Sequence, residues 1–501
     1  MADIVLTTFN AKYEHCSFGL RYLLANLGEL SGAARLLEFT PDTRTPEAAE
    51  AILALKPRVV GIGVYVWNAA ECRMLAAELK QLRPELVIVL GGPEVSHETA
   101  GQEICRAADY VITGEGEAAF AQLCRSLLAG RPPEEKLIAA PAPDLALLAL
   151  PYGLYSDEDI AHRVIYTEAS RGCPFACDFC LSALDREVRC FPLEGLFAAW
   201  EKLLARGARR FKFVDRTFNL DMRRAAAVLG FFLERYQPGL FLHFEIVPDH
   251  LTEELFALLK KFPPGALQLE AGVQTFNEAV AARIGRRQDN AAVENNISRL
   301  RRETSVHVHA DLVAGLPGES LESFAAGFDR LAALGPQEIQ VGILKRLRGA
   351  PIARHTAIWG MVYSPFPPYE LRRSDSLDFF AMQRLRRFAR YWDLISNSGV
   401  FPETAGLICE GASPFNAFAA FSAWLYARTG RTHAISRSSL RELTCIYLTE
   451  ALKLDPARAA AAAERDALHA HLGSPAGGRR QARHKQGRGP ARDVPAPPQR
   501  P

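Results

Sequence analysis

At 501 residues the chain is too long for one ordinary core, so two to four domains are expected. Its 49% apolar content suits a globular protein, and no apolar run reaches the roughly 20 residues that would span a bilayer. The formal charge of +2 selects no class of partner.

The opening "MADIVLTTFNAKYEH" lacks a basic region, an apolar stretch and a small-residue cleavage site. It reads as a first strand, and the expected location is the cytoplasm. Residues 1–130 then alternate strands (4–8, 35–39, 59–66, 86–90, 110–113) with helical stretches such as 18–30 and 69–82. That alternation predicts a parallel sheet covered on both faces, with five strands in a flavodoxin-like (Rossmann-type) order. Ligands of such sheets sit beyond the carboxyl ends of the strands. Those ends read "TTFNAKYEH", "YVWN", "GGPEVS" and "GEGE", and none is a G-x-G-x-x-G fingerprint.

A proline-rich stretch, 130–151, breaks the pattern, and 131–160 reads as a linker. A second series follows over 161–363. Its strands are 164–168, 211–215, 241–246, 267–273, 306–313 and 338–344, separated by helical patterns at 193–205, 223–236, 253–261, 291–302 and 321–333. Six βα units with right-handed crossovers curl into a barrel or part of one, with its chemistry on the loops after the strands. Residues 364–472 read as mostly helical. "DSLDFFAMQRLRRFARYWDLIS" predicts an amphipathic helix packed on the barrel, with an arginine face that could instead meet substrate or RNA. The last stretch, 473–501, holds seven Lys/Arg against one Asp and reads as a disordered basic tail.

Ten cysteines do not form a secreted disulfide framework. Cys16, Cys72, Cys105, Cys124, Cys409 and Cys445 are scattered and are expected to pack as buried thiols. Cys190 could be a spare ligand or a reactive thiol, with core packing the expectation. Cys173, Cys177 and Cys180 stand apart, three thiols in "SRGCPFACDFC" at spacing C-x3-C-x2-C. Structural zinc wants four ligands, commonly as two separated pairs. A redox pair would need only two thiols and a thioredoxin-like context. Three thiolates would hold three irons of a [4Fe–4S] cube and leave the fourth open, as catalytic zinc keeps an open position.

The motif, with aromatic Phe179 and placed after the first strand of a βα barrel, resembles the radical S-adenosylmethionine (SAM) superfamily. "HFEIVPDHL", "AGVQTFNEAVAARIGRRQ" and "HADLVAGLPGES" resemble the third-, fourth- and fifth-strand segments of its coproporphyrinogen-dehydrogenase-like branch, in order over roughly 163–344. The resemblance implies that Cys173, Cys177 and Cys180 ligate a [4Fe–4S] cluster. It also implies that Phe179 packs near the adenine of SAM, that Glu245 and Gln274 meet its polar groups, that Arg286 pairs with its carboxylate and that Asp311 closes the site. The second-strand segment "FVDRTFN" departs from the family's Gly-Gly-Glu, and Asp215 is the candidate for the ammonium. The implied chemistry is one-electron cleavage of SAM to methionine and a 5′-deoxyadenosyl radical, fed by a donor such as flavodoxin or ferredoxin.

The first domain resembles the cobalamin-binding subclass, with Gly91, Gly92, Gly114 and Gly116 expected along the cleft for the cofactor's nucleotide tail. The loop "YEHCSFG" fails the subclass's Asp-x-His-x-x-Gly pattern on both sides of His15, so a loop or core role is expected for that histidine. Methyl transfer to an unactivated carbon is one reaction this resemblance allows, with ring rearrangement or oxidation as others. A radical SAM enzyme with a degenerate cobalamin domain, acting on RNA or another substrate, is a second reading. A non-catalytic iron–sulfur or zinc protein is a third.

Overall fold

The computed structural model describes residues 2–472. The basic stretch 473–501 lies outside the described residues.

Six parallel strands form the first sheet: β1 (Ile4–Phe9), β2 (Ala34–Phe39), β3 (Val59–Gly63), β4 (Val87–Gly91), β5 (Tyr110–Thr113) and β6 (Leu137–Ala139). Their order, β2-β1-β3-β4-β5-β6, reverses between β1 and β3. Every residue of β1 and β3 is buried, because helices cover both faces. One face packs Ile52, Leu75 and Leu79, and the other Leu20, Phe120 and Leu123. β6 corrects the five-strand expectation. It falls inside the stretch read as linker and pairs in parallel with β5 through Val111↔Leu137 and Thr113↔Ala139. The same stretch also holds a helix, Asp157–His162, whose Ser156 and Asp159 form a reciprocal cap.

The second sheet uses β7 (Ile165–Thr167), β10 (Arg210–Phe213), β11 (Phe241–Ile246), β12 (Leu267–Gln274), β13 (His307–Ala314) and β14 (Glu338–Ile343). A two-residue ribbon, β8 (Ser170–Arg171) against β9 (Arg189–Cys190), flanks the cysteine loop. All six long strands are parallel, in the order β14-β13-β12-β11-β10-β7, and form a partial barrel that does not close. Burial alternates residue by residue on β12 and β13. Leu267, Leu269, Ala271 and Val273 pack outward under the helices, whereas Gln268, Glu270 and Gln274 face the interior, which is only partly shielded from solvent. Trp200, Phe211, Phe213, Phe232 and Phe244 form the aromatic part of the outer layer.

The C-terminal region begins with a hairpin, β15 (Val362–Tyr363) and β16 (Leu371–Arg373), which the helical reading did not include. Helices follow. Helix Phe379–Ile395 buries Met382, Leu385, Phe388, Trp392 and Ile395, and Phe388 and Trp392 pack against Phe328 of the barrel's outer layer. Three of its arginines are engaged within the fold: Arg386 with Glu370, Arg387 over the Tyr426 ring and Arg390 with Asp393. Cys16, Cys72, Cys105 and Cys124 are buried and Cys409 and Cys445 partly so. Cys190 is exposed, which corrects the core-packing expectation. It lies in the two-residue ribbon, too short to cover its own side chains. Among the described residues no helix is long and apolar enough to cross a membrane.

Candidate functional site

The three clustered thiols line one cavity of about 270 Å³ at the carboxyl ends of β11, β12 and β13. Gly172 takes φ +91°, and a Cβ there would strike the Glu187 carbonyl, so the chain enters the loop only through glycine. Cys173 N–H donates to the Asp185 carbonyl at 2.9 Å and Cys180 N–H to the Cys177 carbonyl at 3.0 Å. Asp178, between the second and third cysteines, is buried and anchors the loop. Its carboxylate meets His355 Nε2 at 2.7 Å and Arg354 at 2.6 Å, and its carbonyl accepts from Ile352 N–H. Burial pushes the Cys173 and Cys177 thiols up, and Arg286 beside Cys177 works against it. No other cysteine lines the cavity, so the donor set is three thiols with an open side, as a site-differentiated cluster requires.

Phe179, Glu245, Gln274, Arg286 and Asp311 line the same cavity. Gln274 sits at a register shift in β12 with φ +68°, an uncommon conformation for a non-glycine residue. A Cβ on Gly272 would lie 2.6 Å from the Gln274 amide nitrogen, so that glycine makes room for the side chain. Arg286 bonds the Gly272 carbonyl, donates to Gln288 Oε1 at 3.0 Å and approaches Cys177 Sγ at 3.7 Å. Burial raises Glu245, tempered by Arg216 at 3.5 Å. Burial also raises Asp311, which accepts from Gln340 Nε2 at 3.1 Å and faces His309 at 3.2 Å.

Asp215 is the exception. It is buried behind the cavity, and its carboxylate accepts from Ala169 N–H and from Ser170 Oγ at 2.6 Å. Those bonds fix the main chain just ahead of the cysteine loop and leave the ammonium role unfilled by this residue. Its neighbours Arg216 and Thr217 line the cavity instead. Sequence reading also missed Glu270 and Arg287, which line it, and the interior groups below. There His243 Nε2 meets Glu270 at 2.8 Å, and His309 contacts Glu338 at 2.9 Å. Burial opposes the His309 imidazolium, yet bonds to Asp311 and Glu338 prevail and push it up to about 10. The signal was available: His243 and Glu245, Gln268 and Glu270, and His307, His309 and Asp311 are polar residues two apart on β11, β12 and β13.

A second cavity, about 320 Å³, opens at the carboxyl ends of β3, β4 and β5. Gly91, Gly92, Gly114 and Gly116 all line it, with Gly61 and Gly63 of β3 and the rings of Phe18, Tyr22, Tyr65 and Phe120. Gly92 (φ +107°) and Gly114 (φ +79°) pass so close to neighbouring backbone that a Cβ would lie 2.5 Å from the Val64 carbonyl and 2.7 Å from the Ala140 carbonyl. Two wall residues carry buried polar atoms with no partner among the described residues, Tyr22 Oη and Glu117 Oε2. Glycine edges that admit close approach to the backbone and an aromatic depth fit the nucleotide tail of a cobalamin. His15 does not line this cavity; its Nδ1 lies 2.6 Å from the Tyr166 hydroxyl of β7. Glu168 and Arg171, which follow β7, close the wall on the barrel side. Burial pushes Glu168 up to about 7 against the pull of Arg171.

Residues 4–124 match the family model of the B12 binding domain, and residues 167–331 match that of the radical SAM superfamily. The chain carries a B12-binding domain followed by a radical SAM domain. Its cofactors are a [4Fe–4S] cluster, SAM and cobalamin. Residues 357–466 match a family described only as a protein of unknown function, DUF4080. Among curated relatives, the 2-(S-pantetheinyl)-carbapenam-3-carboxylate methyltransferase of Streptantibioticus cattleyicolor is 27% identical over 59% of this chain and 48% of its own. The cobalamin-dependent radical SAM methyltransferase TokK of Streptomyces tokunonensis is 24% identical over 61% and 49%. The chain thus spans about half the length of these relatives. The radical SAM methyltransferase TsrM of Kitasatospora setae, solved with cobalamin and a [4Fe–4S] cluster, shares the fold at TM-score 0.61 and 17% identity, over 94% of this chain and 100% of that one.

Proposed function

We propose that the protein is a cobalamin-dependent methyltransferase acting at an unactivated carbon of a small-molecule substrate. The observation that carries this reading is the pair of cavities, one lined by three thiols and the other by glycine edges together with Glu168 and Arg171, which precede the cysteine loop. The relatives named as methyltransferases support it. When bound, the cluster supplies one electron to SAM and cobalamin carries a methyl group.

The chain's own residues bind and orient. Cys173, Cys177 and Cys180 hold the cluster in a loop fixed by Asp178 and Asp215. Arg286 would offer its guanidinium to the SAM carboxylate, Glu245 and Gln274 would meet its other polar groups, Phe179 would pack near adenine and Asp311 would close the site. Burial of these groups strengthens each charge-assisted contact by keeping water out. Gly91, Gly92, Gly114 and Gly116 let the cobalamin tail approach the backbone. A one-electron donor of the flavodoxin or ferredoxin type, in the cytoplasm, completes the scheme.

Anaerobic reconstitution should give about four irons per chain, and the product should release 5′-deoxyadenosine from SAM and dithionite. Desalting after incubation with hydroxocobalamin should leave corrin absorbance on the protein. A wild type that releases no more 5′-deoxyadenosine than the C173A/C177A/C180A variant overturns the radical SAM part. Loss of all corrin absorbance overturns the cobalamin part.

A further inference from the structure

We infer that Arg171 is a positioning residue that couples the two cofactor sites, so that filling one tightens the other. The inference rests on the functional reading above.

The side chain of Arg171 belongs to the wall of the glycine-edged cavity, and its main chain runs through Gly172 into Cys173. Its guanidinium is buried among three carboxylates. Glu115 at 2.6 Å and Glu117 at 2.9 Å come from the first domain, and Glu168 at 2.9 Å from the end of β7. The rings of Tyr22 and Phe191 flank it at 4.8 and 5.5 Å. A second route joins the same points. Glu115 also binds Arg189, Arg189 binds Asp185 at 3.0 Å, and the Asp185 carbonyl accepts from Cys173 N–H. Gly172 lies against the Glu187 main chain, so the loop has little room to absorb a shift of Arg171.

On the cavity side, Tyr22, Glu115 and Glu117 all line the wall and all touch Arg171. A corrinoid amide that meets this wall would order the guanidinium it surrounds. On the other side, cluster ligation through Cys173 orders the main chain of the same residue. Two ligands that order one set of residues bind cooperatively, because the second meets a smaller entropic cost. The effect is reciprocal by linkage.

Hydroxocobalamin affinity is measured on cluster-free and on anaerobically reconstituted protein. The wild type should bind about fivefold or more tightly when the cluster is present. Bound hydroxocobalamin should slow iron loss to a chelator correspondingly. In Arg171→Met the affinity ratio should fall to about one. Arg171→Lys should fall between, since an ammonium cannot span three carboxylates as a guanidinium does. The E115Q/E117Q variant keeps Arg171 and removes the charges on the cavity side. It should also lower the ratio, and it stands in if Arg171→Met does not fold. A ratio of one in the wild type, or a wild-type ratio in these variants, overturns the coupling. If hydroxocobalamin binds neither form, the cobalamin reading itself falls.

Discussion

Glu319, in the "GLPGES" segment, is a buried carboxylate whose Oε2 has no partner among the described residues. Burial pushes it up to about 7 from 4.5, against a bond from Thr275 Oγ1 at 2.6 Å and a weaker one from Ser323. Between those values the folded chain binds more protons than the unfolded one, so stability is full below about pH 4.5 and falls as pH rises toward 7. Glu319→Gln mimics the protonated acid. It should match wild type at pH 4.5 and exceed it by about 3 kcal/mol at pH 8 in thermal unfolding. An equal offset at both pH values would show that the carboxylate is not titrating in the fold. Residues of this kind mark the limit of reading by type. The cysteines were legible because their spacing within one short segment carries the chemistry, whereas Arg286 and Gln274 could be picked out only through the family resemblance of their segments. Asp215 was misread because a strand-end carboxylate looks the same whether it faces a cavity or caps the neighbouring main chain.

At the scale of elements, hydrophobic alternation located both sheets to within a few residues. It missed β6, three residues flanked by prolines with two exposed side chains, because so short an edge strand has almost no periodic signal. The β15–β16 hairpin escaped for the same reason, its pairing resting on two and three residues. Glycine positions were legible but their necessity was not, since only geometry separates a crowded glycine from a free one. Gly92→Ala places a Cβ against the Val64 main chain at positive φ, with no side chain to give way. It should cost roughly 2–3 kcal/mol and lower the hydroxocobalamin retained per chain. Gly230→Ala, inside a helix with nothing within 4 Å, should instead stabilise by about 0.5–1 kcal/mol and leave retention unchanged. Equal losses in both variants would mean that the close approach at Gly92 has no part in the cavity.

At the scale of the whole molecule, the first domain is held to the rest by arginine–carboxylate bridges as well as by apolar packing. Arg171 bridges to Glu115 and Glu117. Arg348 reaches Glu94 at 2.9 Å, and Tyr369 of the segment before β16 donates to the same carboxylate at 2.5 Å. Arg21 is fully buried, 2.8 Å from Glu38 and 3.0 Å from Asp159, and stacks on Tyr155. Cys16, Glu38 and Asp159 come close enough together to suggest a cation site, but Arg21 and Arg163 already supply the positive charge. Arg21→Met leaves two buried carboxylates with Arg163 alone, at 3.4 and 3.5 Å. Breaking a buried pair from one side costs about 3–5 kcal/mol, because the surviving charge has lost its counterion. A loss of that size should lower the thermal midpoint by roughly four degrees. Adding Glu38→Gln and Asp159→Asn removes the stranded charges, and the triple variant should recover part of the loss. If the triple variant is less stable than Arg21→Met, the carboxylates serve the fold through their other bonds, from Asn10 and Ser17 to Glu38 and from Ser156 to Asp159, more than through the arginine.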